Sequence, residues 1–68
     1  MINENITQGK WNKMKGKSQA AWGKITDDEL ESTKGNISHI AGLIQKRYGA
    51  AQEDVRNKIN NWLAKESA

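Results

Sequence analysis

The chain has 68 residues, of which 35% are hydrophobic, and it contains three tryptophans, one histidine, no cysteine and no proline. Without cysteine it can form neither a disulfide nor a thiolate metal site, and a single histidine argues against an imidazole-based metal site. The net charge of +3 is only mildly basic, which is weak evidence for a nucleic-acid partner.

The length predicts a single domain spanning residues 1–68, with modest stability because a short chain buries little surface. Its low hydrophobic content approaches that of disordered chains, but the large apolar residues are regularly spaced, which favours a folded protein. No apolar run reaches the roughly 20 residues that span a bilayer. The first ten residues lack the features of a secretory signal. We therefore expect a cytoplasmic monomer.

Two stretches bounded by glycine, residues 9–23 and 35–49, align when the second is shifted by 26 residues. All six glycines then coincide in pairs, at seven-residue spacing. In this register Trp11 falls on Ile37, Met14 on Ile40 and Trp22 on Tyr48. Similarity at a fixed period indicates a repeated structural unit. The repeat predicts one helix-turn-helix unit used twice.

The first helix is predicted near 7–22, capped by Asn5 or Thr7, after an arm over residues 1–6 that frays. Its apolar stripe comprises Trp11, Met14, Ser18, Trp22 and Ile25. On a helical wheel the last four lie within about 60° of Trp11. On an adjoining face, at about 200–260°, the wheel places Lys10, Lys13, Lys17 and Lys24.

Predictions also follow for Lys15, Gly16 and Gly23. Lys15 lies near the tryptophans, so its methylenes should cover ring surface while its ammonium reaches water. Gly23 is placed to end the helix as a left-handed C-cap. Core packing does not explain Gly16, because a glycine in a helix interior costs roughly 1 kcal/mol against alanine.

The remaining helices are predicted near 27–34, 36–48 and 52–65. Thr26 and Glu29 form a capping box at the start of the second helix, from which Leu30 and Thr33 face inward. The third helix has the widest apolar stripe and ends at Gly49. In the fourth, Val55, Ile59, Trp62 and Leu63 share a face, and residues 65–68 fray.

The pattern as a whole predicts an all-α protein, a four-helix bundle of two packed α-hairpins. Because the stripes are narrow, neither hairpin can bury its apolar face alone. The predicted core consists of Trp11, Trp22, Leu30, Ile37, Ile40, Ile44, Tyr48, Val55, Ile59 and Trp62.

Several segments together resemble the CsbD-like family of small bacterial proteins. They are GKW at 9–11, KGK at 15–17, WGKITDDEL at 22–30, GLIQKRYG at 42–49 and the late Trp62. The resemblance covers about residues 9–62. It implies a compact bundle of two packed α-hairpins, similar to SAM-like bundles, and induction under general stress or in stationary phase. The family has no known enzymatic activity, so the resemblance predicts none for this chain. No functional residues are established for the family, so none can be assigned here.

No catalytic constellation, cofactor site or metal site is predicted. His39 has no acid or second histidine at helical spacing, and the acids at 27–31 are interpreted as first-turn charges because they lack calcium-loop spacing. The tryptophans could act as stacking platforms for single-stranded nucleic acid, but their spacing favours a place in the core. The lysine stripe, Lys10, Lys13, Lys17 and Lys24, is the one candidate anion or nucleic-acid contact.

The sequence favours a non-enzymatic bacterial stress-response protein, acting as a hydrophilic protective protein. The alternative is a weak, non-specific nucleic-acid-binding module that uses the lysine stripe. Two other interpretations are less favoured. One is a membrane-surface helix, against which the thin apolar stripe of the first helix argues. The other is a small module that docks a partner helix.

Overall fold

Four α-helices make up the fold in the computed structural model, which describes residues 5–66 of the chain. They are α1 (Gln8–Ala21), α2 (Asp27–Ser32), α3 (Ile37–Tyr48) and α4 (Gln52–Glu66). No strand occurs within the described range. The helix α1 pairs with α2, α3 packs most extensively against α4, and α1 contacts α4 across the two halves. The prediction of an all-α bundle of two packed hairpins is confirmed.

Helix ends follow local signals at three of the predicted positions. The Thr26 hydroxyl accepts a hydrogen bond from the backbone N–H of Glu29, and the Glu29 carboxylate accepts one from the backbone N–H of Thr26. Asn36 caps α3 by accepting from the N–H of His39 at 3.0 Å. Gly49 ends α3 in the left-handed conformation, with φ of 70°. The predicted capping box and C-cap are therefore confirmed.

Helix α1 ends close to the predicted position, but the left-handed C-cap predicted at Gly23 is wrong. Trp22 is the C-cap residue, with φ of −128°, and Gly23 is not among the glycines with positive φ. The left-handed turn occurs instead between α2 and α3, where Lys34 and Gly35 both have positive φ. At the other end, Thr7 occupies the N-cap position but its side chain makes no capping hydrogen bond. Helix α1 thus lacks the side-chain N-cap that α2 and α3 have.

The core forms where the apolar faces of all four helices meet. Its buried hydrophobic residues are Ile6, Trp11, Met14, Trp22, Ile25, Leu30, Ile37, Ile40, Ala41, Ile44, Val55 and Ile59. As predicted, α3 contributes the most, with four buried residues. Two predicted core residues differ: Tyr48 is 38% exposed and Trp62 is only half-buried. Tyr48 is the last residue of α3, and Trp62 packs on the Trp22 ring.

One polar side chain sits within this core without a hydrogen-bond partner in the described part of the chain. Ser18 is 1% exposed, and its Oγ is unpaired. Its counterpart in the repeat register is Ile44, which is fully buried. An unpaired buried hydroxyl is destabilising, so the first copy of the repeat packs less favourably here than the second.

The segment before α1 does not fray as far as predicted. Ile6 is 8% exposed and belongs to the core, and its N–H donates to the carbonyl of Gly35 at 2.8 Å. Asn5 forms an antiparallel bridge with Asn36, whose side-chain amide donates to Asn5 Oδ1 at 3.1 Å. Residues 1–4 of the predicted arm lie outside the described residues. At the other terminus, α4 continues through Glu66, and 67–68 are likewise outside.

Replacing Gly16 by alanine is expected to raise the free energy of unfolding by about 1 kcal/mol, the usual cost of glycine in a helix interior. A Cβ at this position in α1 would have no neighbouring atom within 4 Å. Urea denaturation followed by circular dichroism measures the change. The matched control is Ala20→Gly, also exposed on α1, which should be destabilising by a similar amount. A less stable Gly16→Ala variant would contradict this prediction.

Candidate functional site

The lysines of α1 form the first part of the candidate site. Lys13 and Lys17 are exposed, Lys10 is half-buried, and α1 contains no acidic residue. Residues four apart on a helix are neighbours on its surface, so Lys13 and Lys17 lie on one side of α1. We call Lys10, Lys13 and Lys17 the α1 lysine face. It concentrates positive charge without a compensating carboxylate on the same helix.

Lys24 does not belong to that face, which corrects the predicted four-residue stripe. Since α1 ends at Ala21, the helical wheel no longer applies at residue 24. The backbone N–H of Lys24 donates to the Tyr48 hydroxyl at 2.7 Å, and its ammonium lies 5.9 Å from the centre of the Tyr48 ring. A cation at this distance from an aromatic face is attracted by the ring quadrupole. Lys24 therefore connects the loop after α1 to the C-terminal end of α3.

Two indole rings and a second lysine also lie close together. The rings of Trp22 and Trp62 have centroids 5.6 Å apart and are tilted by 59°, within the range of favourable aromatic pairs. The Lys58 ammonium lies 5.9 Å from the centre of the Trp22 ring. We call Trp22, Lys24, Tyr48, Lys58 and Trp62 the aromatic corner. Sequence reasoning missed it, because Tyr48 and Trp62 were expected in the core and Lys58 was not singled out.

The acids of α2 hold this short helix to its neighbours. Lys15 of α1 forms an ion pair with Glu31 and lies 3.6 Å from Asp27. The hydrogen bond from Lys15 to Glu31, together with the charge of Asp27, raises the pKa of Lys15 above its usual value. The pairing of Lys15 with acids of another helix was not predicted from the sequence. The acids at 27–31 include cross-helix partners as well as first-turn charges.

Glu29 connects α2 to α3. Besides its part in the capping box, its carboxylate forms an ion pair with Arg47. The hydrogen bond from the Thr26 backbone lowers the pKa of Glu29 below its ordinary value of 4.5, and the Arg47 charge lowers it further. A carboxyl group whose pKa is lowered by folding stabilises the fold while it is ionised. Arg47 is consequently balanced by a nearby carboxylate.

The Glu29→Gln variant is expected to unfold at a lower urea concentration than the parent at about pH 7, where the parent carboxyl is ionised. Glutamine can keep the capping box but loses the ion pair with Arg47. The stabilisation from Glu29 is present above its ordinary pKa and is lost as pH falls through its lowered pKa. The gap between the two proteins should therefore narrow as the pH is lowered below 4.5 and the Glu29 carboxyl becomes protonated.

The control for this measurement is Glu53→Gln, an exposed glutamate in the first turn of α4. It should show little change in the urea midpoint at either pH. A Glu29→Gln gap that stays constant from neutral to acidic pH would show that the ionised carboxylate is not the source of stabilisation.

The remaining predicted residues and surface features give weaker evidence of a binding or catalytic site. His39 is exposed on α3, and the described residues contain no group of three or more histidines, cysteines or acids that could hold a metal ion. An open surface depression lies between α3 and the start of α4, lined by Gly42, Leu43, Gln45, Lys46 and Gln52. Over residues 5–66, no helix combines the length and apolar character needed to cross a membrane.

Comparison with known proteins matches residues 5–57 to the family model described as CsbD-like. A UPF0337 protein of Bordetella pertussis is 46% identical over 62 residues, covering 91% of this chain and 94% of the relative. One from Xanthomonas axonopodis pv. citri is 44% identical, covering 81% and 86%. One from Pectobacterium atrosepticum is 36% identical, covering 90% and 88%. No solved structure gives a significant match.

Proposed function

The chain belongs to the CsbD-like family, and from that premise we propose that it is a non-enzymatic stress-response protein of bacteria, acting as a hydrophilic protective protein. The observation that carries the protective role is the character of its surface. Among the described residues, Tyr48 is the sole large hydrophobic side chain that is exposed, and the mean hydropathy of the chain is −0.91. A surface without large apolar patches resists self-association, so such a protein can accumulate without aggregating.

The stress role is tested by the abundance of the protein in its native host. The amount of protein should rise on osmotic shock, on heat and on entry into stationary phase, measured by quantitative mass spectrometry. A strain lacking the gene should survive those conditions less well, and the parent gene on a plasmid should restore survival. Unchanged abundance under all three stresses would contradict the proposal.

The protective mechanism is tested with a heat-labile or drying-labile reporter enzyme mixed with the purified protein. If the hydrated surface protects, Lys13→Glu with Lys17→Glu should protect as well as the parent, since these side chains remain charged and hydrated. The matched variant Lys13→Leu with Lys17→Leu places two apolar side chains at the same exposed positions and should protect less. Equal loss in both variants would point to the lysines themselves.

A second candidate function is weak, non-specific binding of nucleic acid through the α1 lysine face. The exposure of Lys13 and Lys17 on a helix without acids supports it. Neutralising phosphates releases counterions, so the affinity should fall steeply with salt. Titration of labelled duplex and single-stranded DNA at low and moderate salt measures this. Binding that is absent at low salt, or unaffected by Lys13→Glu with Lys17→Glu, would exclude this candidate.

A further inference from the structure

We propose that the aromatic corner binds single-stranded nucleic acid, with a base stacked on the Tyr48 ring and phosphates beside Lys24 and Lys58. This inference rests on the second candidate function, which it deepens by naming the form of nucleic acid and a separate contact surface. Proteins that bind single strands without sequence preference combine basic side chains along the backbone with aromatic rings that stack on bases. The tertiary structure assembles both components from the loop after α1 and from α3 and α4.

The Tyr48 ring is accessible and also held in place. It is 38% exposed, whereas Trp22, its counterpart in the repeat register, is 8% exposed. The Tyr48 hydroxyl accepts the 2.7 Å hydrogen bond from the Lys24 backbone, which anchors the ring at the surface. A side chain that is already ordered loses little conformational entropy when a ligand binds. An anchored, exposed ring is therefore suited to stacking.

Two lysines lie near the rings of the aromatic corner. Lys24 lies near the Tyr48 ring and Lys58 near the Trp22 ring, and the five residues of the aromatic corner include no acid. The neighbouring Arg47 is paired with Glu29, so it adds little net charge. Phosphates of a strand whose base stacks on Tyr48 would thus meet cations on the same surface.

The observations favour a single strand over duplex DNA and over a membrane surface. Stacking on a side chain requires an unpaired base, which a regular duplex does not offer. Arginine is the usual residue for bidentate readout of a duplex base, and Arg47 is already engaged with Glu29. Membrane insertion requires exposed apolar side chains, but Trp22 is buried and Trp62 is half-buried. Tyr48 by itself provides too little apolar surface.

The test is fluorescence anisotropy of a labelled oligothymidylate titrated with the full chain at low salt. The parent should bind the single strand more tightly than a duplex of equal length. Tyr48→Leu, which keeps apolar bulk but removes the ring, should weaken binding by roughly 5- to 150-fold, the usual loss for one stacked base. Tyr48→Phe keeps the ring and should bind within about threefold of the parent.

Charge variants separate the aromatic corner from the α1 lysine face. Lys24→Gln with Lys58→Gln should reduce the salt dependence of binding, since about two phosphate contacts are removed. Lys13→Gln with Lys17→Gln should leave the preference for single strands intact. If Tyr48→Leu binds like the parent while the α1 variants lose binding, the aromatic corner is excluded and the α1 lysine face remains as the nucleic-acid candidate.

Photo-crosslinking provides a second measurement that does not depend on a variant folding. An oligonucleotide carrying bromodeoxyuridine should crosslink to a peptide containing Tyr48 or Trp62, identified by mass spectrometry. Crosslinks confined to α1 peptides would overturn the inference. Failure to bind any nucleic acid would overturn both nucleic-acid proposals without touching the stress-response proposal. Binding only to anionic lipid vesicles would also overturn the inference and identify a membrane surface instead.

Discussion

Replacing Leu30 by alanine is expected to lower the free energy of unfolding by about 2–5 kcal/mol, the usual range for a leucine truncated in a protein core. Leu30 is fully buried and is the one core residue that α2 contributes. A small domain has about 0.05–0.15 kcal/mol of stability per residue, so this loss is a large part of the total. The variant should therefore unfold at a much lower urea concentration than the parent.

Urea denaturation followed by circular dichroism and by tryptophan fluorescence measures the loss. The control is Asp28→Ala, exposed in the first turn of the same helix, which should change stability by less than about 1 kcal/mol. If Leu30→Ala cost no more than Asp28→Ala, the ion pairs and the capping box would hold α2 in place without its apolar contact.

Replacing Gly35 by valine is expected to cost more than the same change at Gly49, although both glycines adopt positive φ. Backbone strain of about 1–3 kcal/mol applies at both positions, because a β-branched residue rarely adopts this conformation. At Gly49 a Cβ would have no atom within 4 Å. At Gly35 it would lie 3.4 Å from the carbonyl oxygen of Ile6 and 3.7 Å from the Trp11 ring.

The additional cost at Gly35 should be about 1–3 kcal/mol, the usual effect of overpacking, because the γ-methyl groups of valine would press on Ile6 and Trp11. Equilibrium denaturation gives the difference between the two variants. Near-UV circular dichroism should also change for Gly35→Val, since Trp11 must shift, and should stay close to the parent for Gly49→Val. Equal stability loss at the two positions would mean that Ile6 and Trp11 yield without cost.

The helices could be predicted because the interactions that cap their ends involve residues only a few positions apart. The capping box at Thr26 and Glu29, the Asn36 cap and the left-handed Gly49 each involve groups a few residues apart. Ile6 was missed because a distant group supplies its partner, the carbonyl of Gly35. This contact has no signal within a few residues of Ile6. Gly23 was also mispredicted, since it does not end α1 in a left-handed turn.

The repeat was informative for the core and misleading at the ends of the helices. Trp11 and Ile37 are both buried, as are Met14 and Ile40, because the stripe faces the centre of the bundle in both halves. Trp22 and Tyr48 differ, since Trp22 meets α4 through Trp62 while the Tyr48 hydroxyl bonds to the Lys24 backbone near the surface. Equivalent positions in the repeat therefore contact different residues in the folded protein.

The sequence by itself determined the family, the four helices, most of the core and the positive face of α1. These properties depend on residue types and short-range spacing, which the chain carries wherever it folds. Only the tertiary structure decided that Lys24 leaves the α1 face, that Lys15 pairs with the acids of α2, and that Tyr48 stands exposed beside Lys24. Each of these outcomes involves residues from different structural elements. Their contacts therefore depend on how the hairpins pack.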